Sequence, residues 1–418
     1  MRKIRRDNYL SRLIDGQENG LVKIVTGIRR CGKSYLLFEL FREHLLRSGI
    51  PEDHILEYNL DSMDNAELRE PKAMLAAIRS RLTDKGKYFI LLDEIQLMNG
   101  FEELLNTLLH LRNAEIYVTG SNSRFLSRDI VTEFRGRGQE IRLHPLCFRE
   151  YLPAYKGNED EAWESFFNYG GIPLTLSFPL PEGKVDYLDQ LFRQVYETDI
   201  QERHGIRNLD EFDELLNILA SAVGSLTNPK KLSDTFRSVK RKKISPHTLR
   251  SYISHLEDAF LLEKAMRYDV KGRKYINTPM KYYFEDVGLR NVRLGLRQQE
   301  ENHIMENIIY NELRVRGCKV DVGVVPIQEF DDEGTHHSRQ LEIDFIAYRG
   351  SKKYYVQSAF AMLDTGKAEQ ERRPLLNVPD SFRKIIVVRD NIGVRHDDFG
   401  ITTIGLRKFL LDENSLDA

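Results

Sequence analysis

The chain has 418 residues, of which 41% are hydrophobic and 30% charged, and 62 Lys and Arg nearly balance 64 Asp and Glu for a formal net charge of −2. This composition excludes a disordered chain and predicts roughly two to four compact domains. No apolar window approaches the roughly 18 residues of a membrane-spanning helix, and the three cysteines are isolated, which excludes a disulfide framework or a cysteine-rich zinc site. We expect a cytoplasmic protein with no membrane partner.

Residues 21 to 145 alternate short apolar runs with longer amphipathic stretches, the pattern of a parallel sheet flanked by helices. The apolar runs predict five strands, at Val22 to Thr26, Ile55 to Asn59, Tyr88 to Leu92, Glu115 to Thr119 and Glu140 to Leu143. The spacing of apolar residues between them predicts helices at Ser34 to Arg47, Pro71 to Leu82 and Phe101 to Leu111. This part of the chain is predicted to be α/β.

The pattern changes after residue 145. Aromatic-rich helical segments around a Gly-Gly-x-Pro turn, up to about residue 205, predict a helical lid on the sheet domain. Further helical periods follow, one of which starts at Ser245-Pro246. A hairpin is predicted after them, with strands at Ala265 to Tyr268 and Lys274 to Asn277 joined through Lys271-Gly272-Arg273. Helix, turn, helix and hairpin together predict a winged helix.

The last part is predicted to be a separate α/β domain. It starts with a helix at Glu301 to Arg316, and the strand-like runs that follow are Lys319 to Val325, Leu341 to Tyr348, Lys353 to Ala359 and Lys384 to Val388. The predicted domains are therefore an α/β domain at 1–145, a lid at 146–205, a winged helix at 206–295 and a C-terminal domain at 296–418.

A phosphate-binding loop lies between the first predicted strand and the first long helix. Residues Gly27 to Ser34 match G-x-x-x-x-G-K-[ST], and this strand-to-helix context is the one the motif requires. Backbone N–H groups of such a loop point at phosphate oxygens, and the following helix adds its positive end. We expect Lys33 to hold the β- and γ-phosphates of ATP and Ser34 to ligate Mg²⁺. The predicted nucleotide-binding residues are Gly27, Ile28, Arg29, Arg30, Cys31, Gly32, Lys33, Ser34 and Tyr35.

Two carboxylates follow the apolar run that begins at Tyr88. Asp93, at the tip of the predicted strand, is suited to hold Mg²⁺, and Glu94 is suited to accept a proton from an attacking water. Hydrolysis of ATP, beyond its binding, is therefore predicted.

Polar residues after the fourth strand, and arginines before the fifth, complete the predicted catalytic set. Ser121 or Asn122 is placed to orient the attacking water, unless the two form an ordinary turn after a strand. Arg135 or Arg137 is suited to neutralise charge that develops on the nucleotide of a neighbouring subunit, unless both lie in a solvated loop.

A basic stretch precedes the predicted recognition helix. Eight Lys or Arg stand against one acid between Pro229 and Arg250, which indicates phosphate contacts with DNA. The alternative is a solvated basic face on an ordinary helical domain or a protein-binding winged helix. The predicted nucleic-acid contacts are Lys240, Arg241, Lys242, Lys243, His247 and Arg250.

These motifs together resemble the AAA+ ATPases, and specifically the bacterial and archaeal group that carries a C-terminal DUF4143 region. The ordered matches are Gly27 to Ser34, Asp93-Glu94, Gly120-Ser121, Gly136-Arg137, Pro145 to Glu150 and Gly170 to Pro173. The resemblance implies a sheet order of 5-1-4-3-2, a sensor role for Ser121 or Asn122 and an arginine finger at Arg137 that acts on a neighbouring subunit. It also implies a homo-oligomer.

The C-terminal domain resembles the PD-(D/E)xK nuclease fold. Glu306 and Asp344 match its first two acidic positions, but Gln357 and Ala359 stand where its Glu-x-Lys pair is expected. Metal-dependent hydrolysis of phosphodiesters needs clustered carboxylates and a cation, so we expect a degenerate, inactive relic unless Lys352 or Lys367 substitutes from a nearby element.

Three functions remain open from the sequence. The first is an ATP-hydrolysing AAA+ module whose nucleotide state moves a DNA-binding winged helix and a nuclease-like domain. The second is a nucleotide-gated oligomeric switch or scaffold that recruits a protein partner with little turnover. The third is a working nuclease under the control of an ATPase.

Overall fold

The computed structural model describes residues 3–120, 136–202, 204–239, 243–297, 300–330, 336–360 and 365–418. Its first half is built on a five-stranded parallel sheet in the order β2-β3-β4-β1-β5. The strands are β1 (Val22–Thr26), β2 (Ile55–Asn59), β3 (Tyr88–Asp93), β4 (Ala114–Gly120) and β5 (Gly138–Arg142). The predicted order 5-1-4-3-2 is confirmed. The five predicted strands lie within two residues of the observed ones at both ends.

Helices cover both faces of this sheet. They are α1 (Asp7–Asp15), α2 (π-type over Tyr35–Phe41 and α-helical over Arg42–Arg47), α3 (Pro71–Arg81) and α4 (Phe101–Leu108). Successive β1 side chains point to opposite faces, so Ile24 joins an apolar cluster with α3 and α4 while Val25 joins another with α2. Burial on both faces explains why the strands read as continuous apolar runs.

The segment predicted to form a lid is helical, and the name lid is kept for it below. It contains α5 (Phe148–Tyr151), α6 (Glu159–Tyr169) and α7 (Pro181–Gln194), which continues with π-type hydrogen bonds over Val195–Glu202. The apolar cluster on the α2 side of the sheet runs without a break through Phe166 and Leu188 of the lid to Leu216 and Ile308 of the C-terminal half. This apolar core therefore crosses the predicted domain limits.

The second half contains further helices, a hairpin and a long sheet. The helices are α8 (Leu209–Ser221), α9 (Pro229–Val239), α10 (Pro246–Asp258), α11 (Val287–Arg293), α12 (Glu301–Val315), α13 (Thr365–Leu376) and α14 (Leu406–Leu411). The strands are β6 (Leu262–Asp269), β7 (Lys274–Phe284), β8 (Lys319–Phe330), β9 (His336–Arg349), β10 (Lys352–Ala359), β11 (Arg383–Val388), β12 (Arg395–His396) and β13 (Ile401–Gly405). Among the described residues, no helix is both long and apolar enough to cross a membrane.

The predicted hairpin exists but is longer than expected, and it belongs to a larger sheet. β6 pairs with β7 and also with β8, which gives one eight-stranded sheet in the order β12-β13-β11-β10-β9-β8-β6-β7. A limit at residue 295 therefore divides a continuous sheet. The domain limits themselves stay a prediction.

The Gly-Gly-x-Pro turn joins the lid to both halves. A Cβ on Gly171 would lie 2.0 Å from the carbonyl oxygen of Leu146, and the N–H of Leu146 donates to Gly171 O at 2.8 Å. The N–H of Gly171 donates to Asp286 Oδ2 at 2.7 Å, just before α11. Burial raises the pKa of Asp286 to about 6, because its carboxyl group is enclosed by these elements. Only glycine fits at position 171, because a Cβ there would overlap the carbonyl oxygen of Leu146.

Candidate functional site: a phosphate-binding loop and its supports

The phosphate-binding loop leaves β1 and enters α2, as the sequence predicts. Gly27 has φ +144°, and a Cβ there would lie 2.1 Å from the carbonyl oxygen of Leu143. Gly32 has φ +103°, and the nearest atom to a Cβ there is Cγ of Pro173 in the lid, at 4.0 Å. Glycine is required at the first position by space and at the second by backbone conformation. The loop therefore lies directly between the segment that follows β5 and the lid.

Lys33 lies inside the loop. Its side chain is buried, and Nζ donates to the carbonyl oxygens of Gly27 at 3.0 Å and Ile28 at 3.1 Å. These two carbonyl groups hold the ammonium group within the curl of the loop. Such an arrangement leaves the positive charge beside the backbone groups that the motif directs at phosphate.

Asp93 meets Ser34 at the carboxyl edge of the sheet. Ser34 Oγ donates to Asp93 Oδ1 at 3.0 Å, and the hydroxyl of Thr119, on β4, donates to the same oxygen. Burial raises the pKa of Asp93, against the opposing effect of these two hydrogen bonds. A buried carboxylate beside a hydroxyl is the hard oxygen donor set that Mg²⁺ prefers, so the residues present fit this ion.

Glu94 has a strained backbone and a restrained side chain. It lies in the left-handed region with φ +53°, and its N–H donates to Thr119 Oγ1 at 3.0 Å. Its carboxylate accepts a hydrogen bond from the amide of Gln96. Thr119 thus supports both acidic residues. This role was not predicted, although Thr119 directly precedes the Gly120-Ser121 turn that the sequence does mark.

Of the other predicted catalytic residues, Arg137 alone is among those that the structure describes, and it is not brought to this loop. Ser121, Asn122 and Arg135 lie outside the described residues. Arg137 lies at the opposite edge of the sheet: its carbonyl accepts from Val22 N at 2.9 Å at the start of β1, and Nη1 donates to Asn106 Oδ1 at 3.1 Å. At about 3.3 Å per strand residue, the length of β1 separates it from the phosphate-binding loop of its own chain.

Arg6 is a buried residue that supports the phosphate-binding loop, and no sequence pattern predicts this role. Its guanidinium group is buried, donates to Cys31 O at 3.2 Å and His144 O at 2.6 Å, and pairs with Glu150 Oε1 at 3.0 Å. Glu150, the acidic residue of the matched segment Pro145 to Glu150, is therefore a structural partner of Arg6.

Three other residues of the predicted nucleotide set have internal roles. Ile28 is buried, and the hydroxyl of Tyr35 accepts from Ile4 N at 3.2 Å. The thiol of Cys31 donates to Leu143 O at 3.4 Å, and burial raises its pKa. The thiol therefore stays protonated and poorly reactive at neutral pH.

Two arginines of the same set lie nearer the surface of the loop. Arg29 is half-buried, whereas Arg30 is exposed and has φ +65°. The charge of Arg30 also acts on Tyr187 of the lid, where it opposes the rise that burial causes in the pKa of the phenol. Arg30 therefore lies within electrostatic reach of Tyr187 on α7.

A buried charge network continues from β5 into the second half. Arg142 Nη2 and His144 Nδ1 contact the two oxygens of Glu285 at 2.7 and 2.6 Å. Arg142 also pairs with Glu263 of β6, which in turn accepts from Arg314 Nε of α12 at 2.8 Å. The strand next to the phosphate-binding loop is thereby tied by ion pairs to the eight-stranded sheet.

The predicted nucleic-acid residues lie at the start of α10 where they are described. Lys243, His247 and Arg250 are exposed, and Ser245 caps the helix by accepting from Thr248 N at 3.0 Å. Lys240, Arg241 and Lys242 lie outside the described residues. The hairpin tip was not among the predicted contacts, yet Lys271, Arg273 and Lys274 are also exposed there.

The nuclease-like residues do come together. Glu306 on α12 and Asp344 on β9 both contact Lys281 of β7, and Gln357 of β10 accepts from Asp344 N at 3.2 Å. The positive charge at this cluster therefore comes from Lys281 of β7, a strand that the predicted limits place in the winged-helix domain.

Two lysines, Lys352 and Lys367, were predicted as possible substitutes for the lysine of the nuclease motif. Lys352 pairs with Asp417 at 2.8 Å, so its charge is engaged near the C-terminus. The side chain of Lys367 lies outside the part of the chain that the structure describes.

Comparison with known proteins places this arrangement in a family. The model of an AAA domain matches residues 19–152. An uncharacterized protein of Haemophilus influenzae is 33% identical over 390 residues, which cover 92% of this chain and 93% of the relative. The chain belongs to the AAA domain family. An uncharacterized protein of Methanocaldococcus jannaschii is 25% identical to this AAA domain protein over 362 residues, 84% of this chain and 77% of the relative.

A second family model and a solved structure also match this AAA domain protein. The model of a domain of unknown function, DUF8612, matches residues 160–300, so the expected DUF4143 region is not confirmed. The structure of a Walker-type ATPase of Pyrococcus abyssi is similar with a TM-score of 0.49 and 16% identity, covering 70% of this chain and 96% of that one.

Replacing Arg6 tests its role as a support of the loop. Arg6→Ala leaves the largely buried Glu150 without its ion-pair partner and the carbonyls of Cys31 and His144 without a donor, so we expect a loss of about 3 kcal/mol in unfolding free energy and weaker ATP binding. The only tryptophan, Trp163, packs against Phe148 with ring centroids 5.2 Å apart, so its fluorescence during urea denaturation reports on this region.

Arg5→Ala is the matched control, because Arg5 is exposed and pairs with Asp7 on the surface. It should leave both the denaturation midpoint and ATP binding unchanged. Equal midpoints for the two variants would contradict the assigned role of Arg6.

Proposed function

We propose that this AAA domain protein binds ATP with Mg²⁺ at the loop Gly27 to Ser34 and hydrolyses it. The observation that carries the proposal is the convergence of Lys33, Ser34 and Asp93 at one edge of the sheet, with Ser34 Oγ 3.0 Å from Asp93 Oδ1. Lys33 exchanges its two carbonyl partners for phosphate oxygens, and Ser34 and Asp93 supply oxygen ligands. Mg²⁺, when bound, neutralises charge on the β- and γ-phosphates.

In this proposal Glu94 accepts the proton of the attacking water. Its backbone is held by Thr119, which fixes the carboxylate at the end of β3 beside Asp93. The hydrogen bond from Gln96 to the same carboxylate favours a second candidate function. With Glu94 restrained, the chain is a nucleotide-gated oligomeric switch that recruits a protein partner and turns over little ATP.

Substitution of Glu94 distinguishes binding from hydrolysis. Glu94→Gln should lower phosphate release about a hundredfold or more while binding of a fluorescent ATP analogue persists, whereas Lys33→Ala should lose the binding itself. Glu103→Gln, an exposed change on α4, is the matched control and should leave turnover unchanged. Unchanged turnover in Glu94→Gln would refute the base assignment, and very slow turnover in every chain would favour the switch.

We further propose that Arg137 acts on the ATP site of a neighbouring subunit in a homo-oligomer. Its position at the far edge of the sheet supports this role, because the strand length keeps it from its own loop. The resemblance to AAA+ ATPases supports the same assignment.

A mixing experiment tests an arginine finger supplied by a neighbour. Arg137→Ala alone should keep ATP binding and lose about a thousandfold in turnover, and Lys33→Ala alone should be inactive. A mixture of the two should regain turnover, since the second chain supplies Arg137 to the intact loop of the first. Failure of the mixture, although the chains assemble, would exclude action between subunits.

We also propose that the region around α10 and the β6–β7 hairpin is a winged helix that binds duplex DNA. The order α8, α9, α10, β6, β7 supports it, as does an isolated antiparallel bridge between Thr227, which precedes α9, and Met280 of β7. Positive charge is exposed both at the start of α10 and at the hairpin tip, and it suits phosphate contacts. The exposed basic residues are Lys243, Arg250, Lys271 and Arg273.

The salt dependence of DNA binding tests this interface. Lys243→Ala with Arg250→Ala should weaken binding of a labelled duplex and reduce the slope of log affinity against log salt by about one for each phosphate that these side chains neutralise. Lys72→Ala, an exposed change on α3, is the control and should change neither quantity. Salt-independent or absent duplex binding in the unmodified chain would contradict the proposal.

A further inference from the structure

Lys281 lies where three carboxylates from different elements converge. Its Nζ is 2.8 Å from Glu306 Oε1, 2.9 Å from Glu342 Oε1 and 3.1 Å from Asp344 Oδ1. The lysine side chain is only 4% exposed. Lys281 donates hydrogen bonds to Glu306 and Asp344 and forms an ion pair with Glu342, and such charge-assisted contacts are the strong ones.

Other atoms of this carboxylate cluster have partners within the chain. Tyr283 donates its hydroxyl to Glu306 Oε1 at 2.7 Å, and Ser358 N donates to Asp344 Oδ2 at 2.9 Å. Gln357 accepts from Asp344 N and donates to Glu371 Oε2 at 2.8 Å. Both oxygens of Asp344 are therefore engaged by groups of the chain itself.

The electrostatics of the cluster agree with this geometry. Burial alone would lower the pKa of Lys281, but the carboxylates of Asp344, Glu306 and Glu342 raise it well above its ordinary value. Burial raises the pKa of Glu306 to about 7, against the opposing effect of Lys281. One permanent positive charge is thus held in the cluster at all ordinary pH values.

Several carboxylate oxygens directed at one point are also the ligand set of a hard divalent cation, which binds them at about 2.0 to 2.6 Å. An ammonium group and such an ion exclude each other from the same position, by space and by charge. Lys281 has little freedom to leave, because its residue pairs with Ala265 in the middle of the hairpin and its side chain is buried.

We propose that the ammonium group of Lys281 takes the place of a divalent cation in the second half of the chain. The carboxylate cluster of Glu306, Glu342 and Asp344 then joins β7, α12 and β9 without metal and is not a metal-dependent active site. This inference goes beyond the proposed ATPase and does not depend on it.

The full-length chain without nucleotide is the material for the test, with Mn²⁺ binding followed by electron paramagnetic resonance. Wild type should bind no Mn²⁺ at the cluster, so its Mn²⁺ signal and that of Asp344→Asn should be the same. Lys281→Met removes the charge but keeps most of the side-chain volume, and it should gain one Mn²⁺ at least about a hundredfold tighter than wild type. Adding Asp344→Asn to Lys281→Met should abolish that site.

Lys264→Met is the matched control, because Lys264 lies on the neighbouring strand opposite Tyr282, is exposed and pairs with Glu257 at 3.2 Å. It should bind Mn²⁺ as wild type does. If Lys281→Met is unfolded in chelator, Mn²⁺ should restore its thermal transition.

Two results on wild type would overturn the proposal whether or not the variant folds. One is a bound Mn²⁺ that disappears in Asp344→Asn. The other is Mn²⁺-dependent cleavage of duplex DNA that Asp344→Asn abolishes, which would make Lys281 part of a working nuclease site.

Discussion

A buried arginine with three partners connects the phosphate-binding loop to the rest of the molecule. Arg6 donates to the carbonyls of Cys31 and His144 and pairs with Glu150, so one guanidinium group reaches the loop, the segment after β5 and the start of the lid. Its charge is stabilised only while these three lie together, because an unpaired buried ion is costly. The absence of a side chain on Gly27, whose Cβ would strike the backbone after β5, allows the same close approach.

Beyond this junction, tightly packed contacts continue toward the second half. The turn at Gly171 packs on the segment after β5 and is held by Asp286, while Glu285 accepts from Arg142 and His144. Such contacts transmit displacement, since protein interiors deform little. In the proposed function, a displacement of the loop on exchange of nucleotide would reach the turn before α11 and, through the ion pairs of β6 and α12, the eight-stranded sheet. These contacts support the proposed coupling of nucleotide state to the helical region.

Local pattern was sufficient to predict the strands of the first sheet and the phosphate-binding loop, whereas the strand order came from the resemblance to AAA+ ATPases. The buried strands are continuous apolar runs, and the polar ends that follow β1 and β3 locate Lys33 and Asp93. Thr119, Arg6 and Lys281 were missed because their roles come from partners 26, 138 and 63 residues away, and no periodicity encodes such pairs. The predicted β7 starts correctly but ends early, since its last residues are buried by β6 and α12 rather than marked by a local turn signal.

The hairpin shows why domain limits are hard to read from patterns alone. In sequence, helices followed by a hairpin form a complete motif. In the structure the edge of β6 that β7 leaves unpaired forms a ladder of hydrogen bonds with β8. Once the sheet is continuous, β7 brings Lys281 under α12 beside Asp344 of β9. A cation from the helical region thus balances acids of the C-terminal region. Because each would be a buried unpaired charge without the other, the two regions are expected to fold and move as one body.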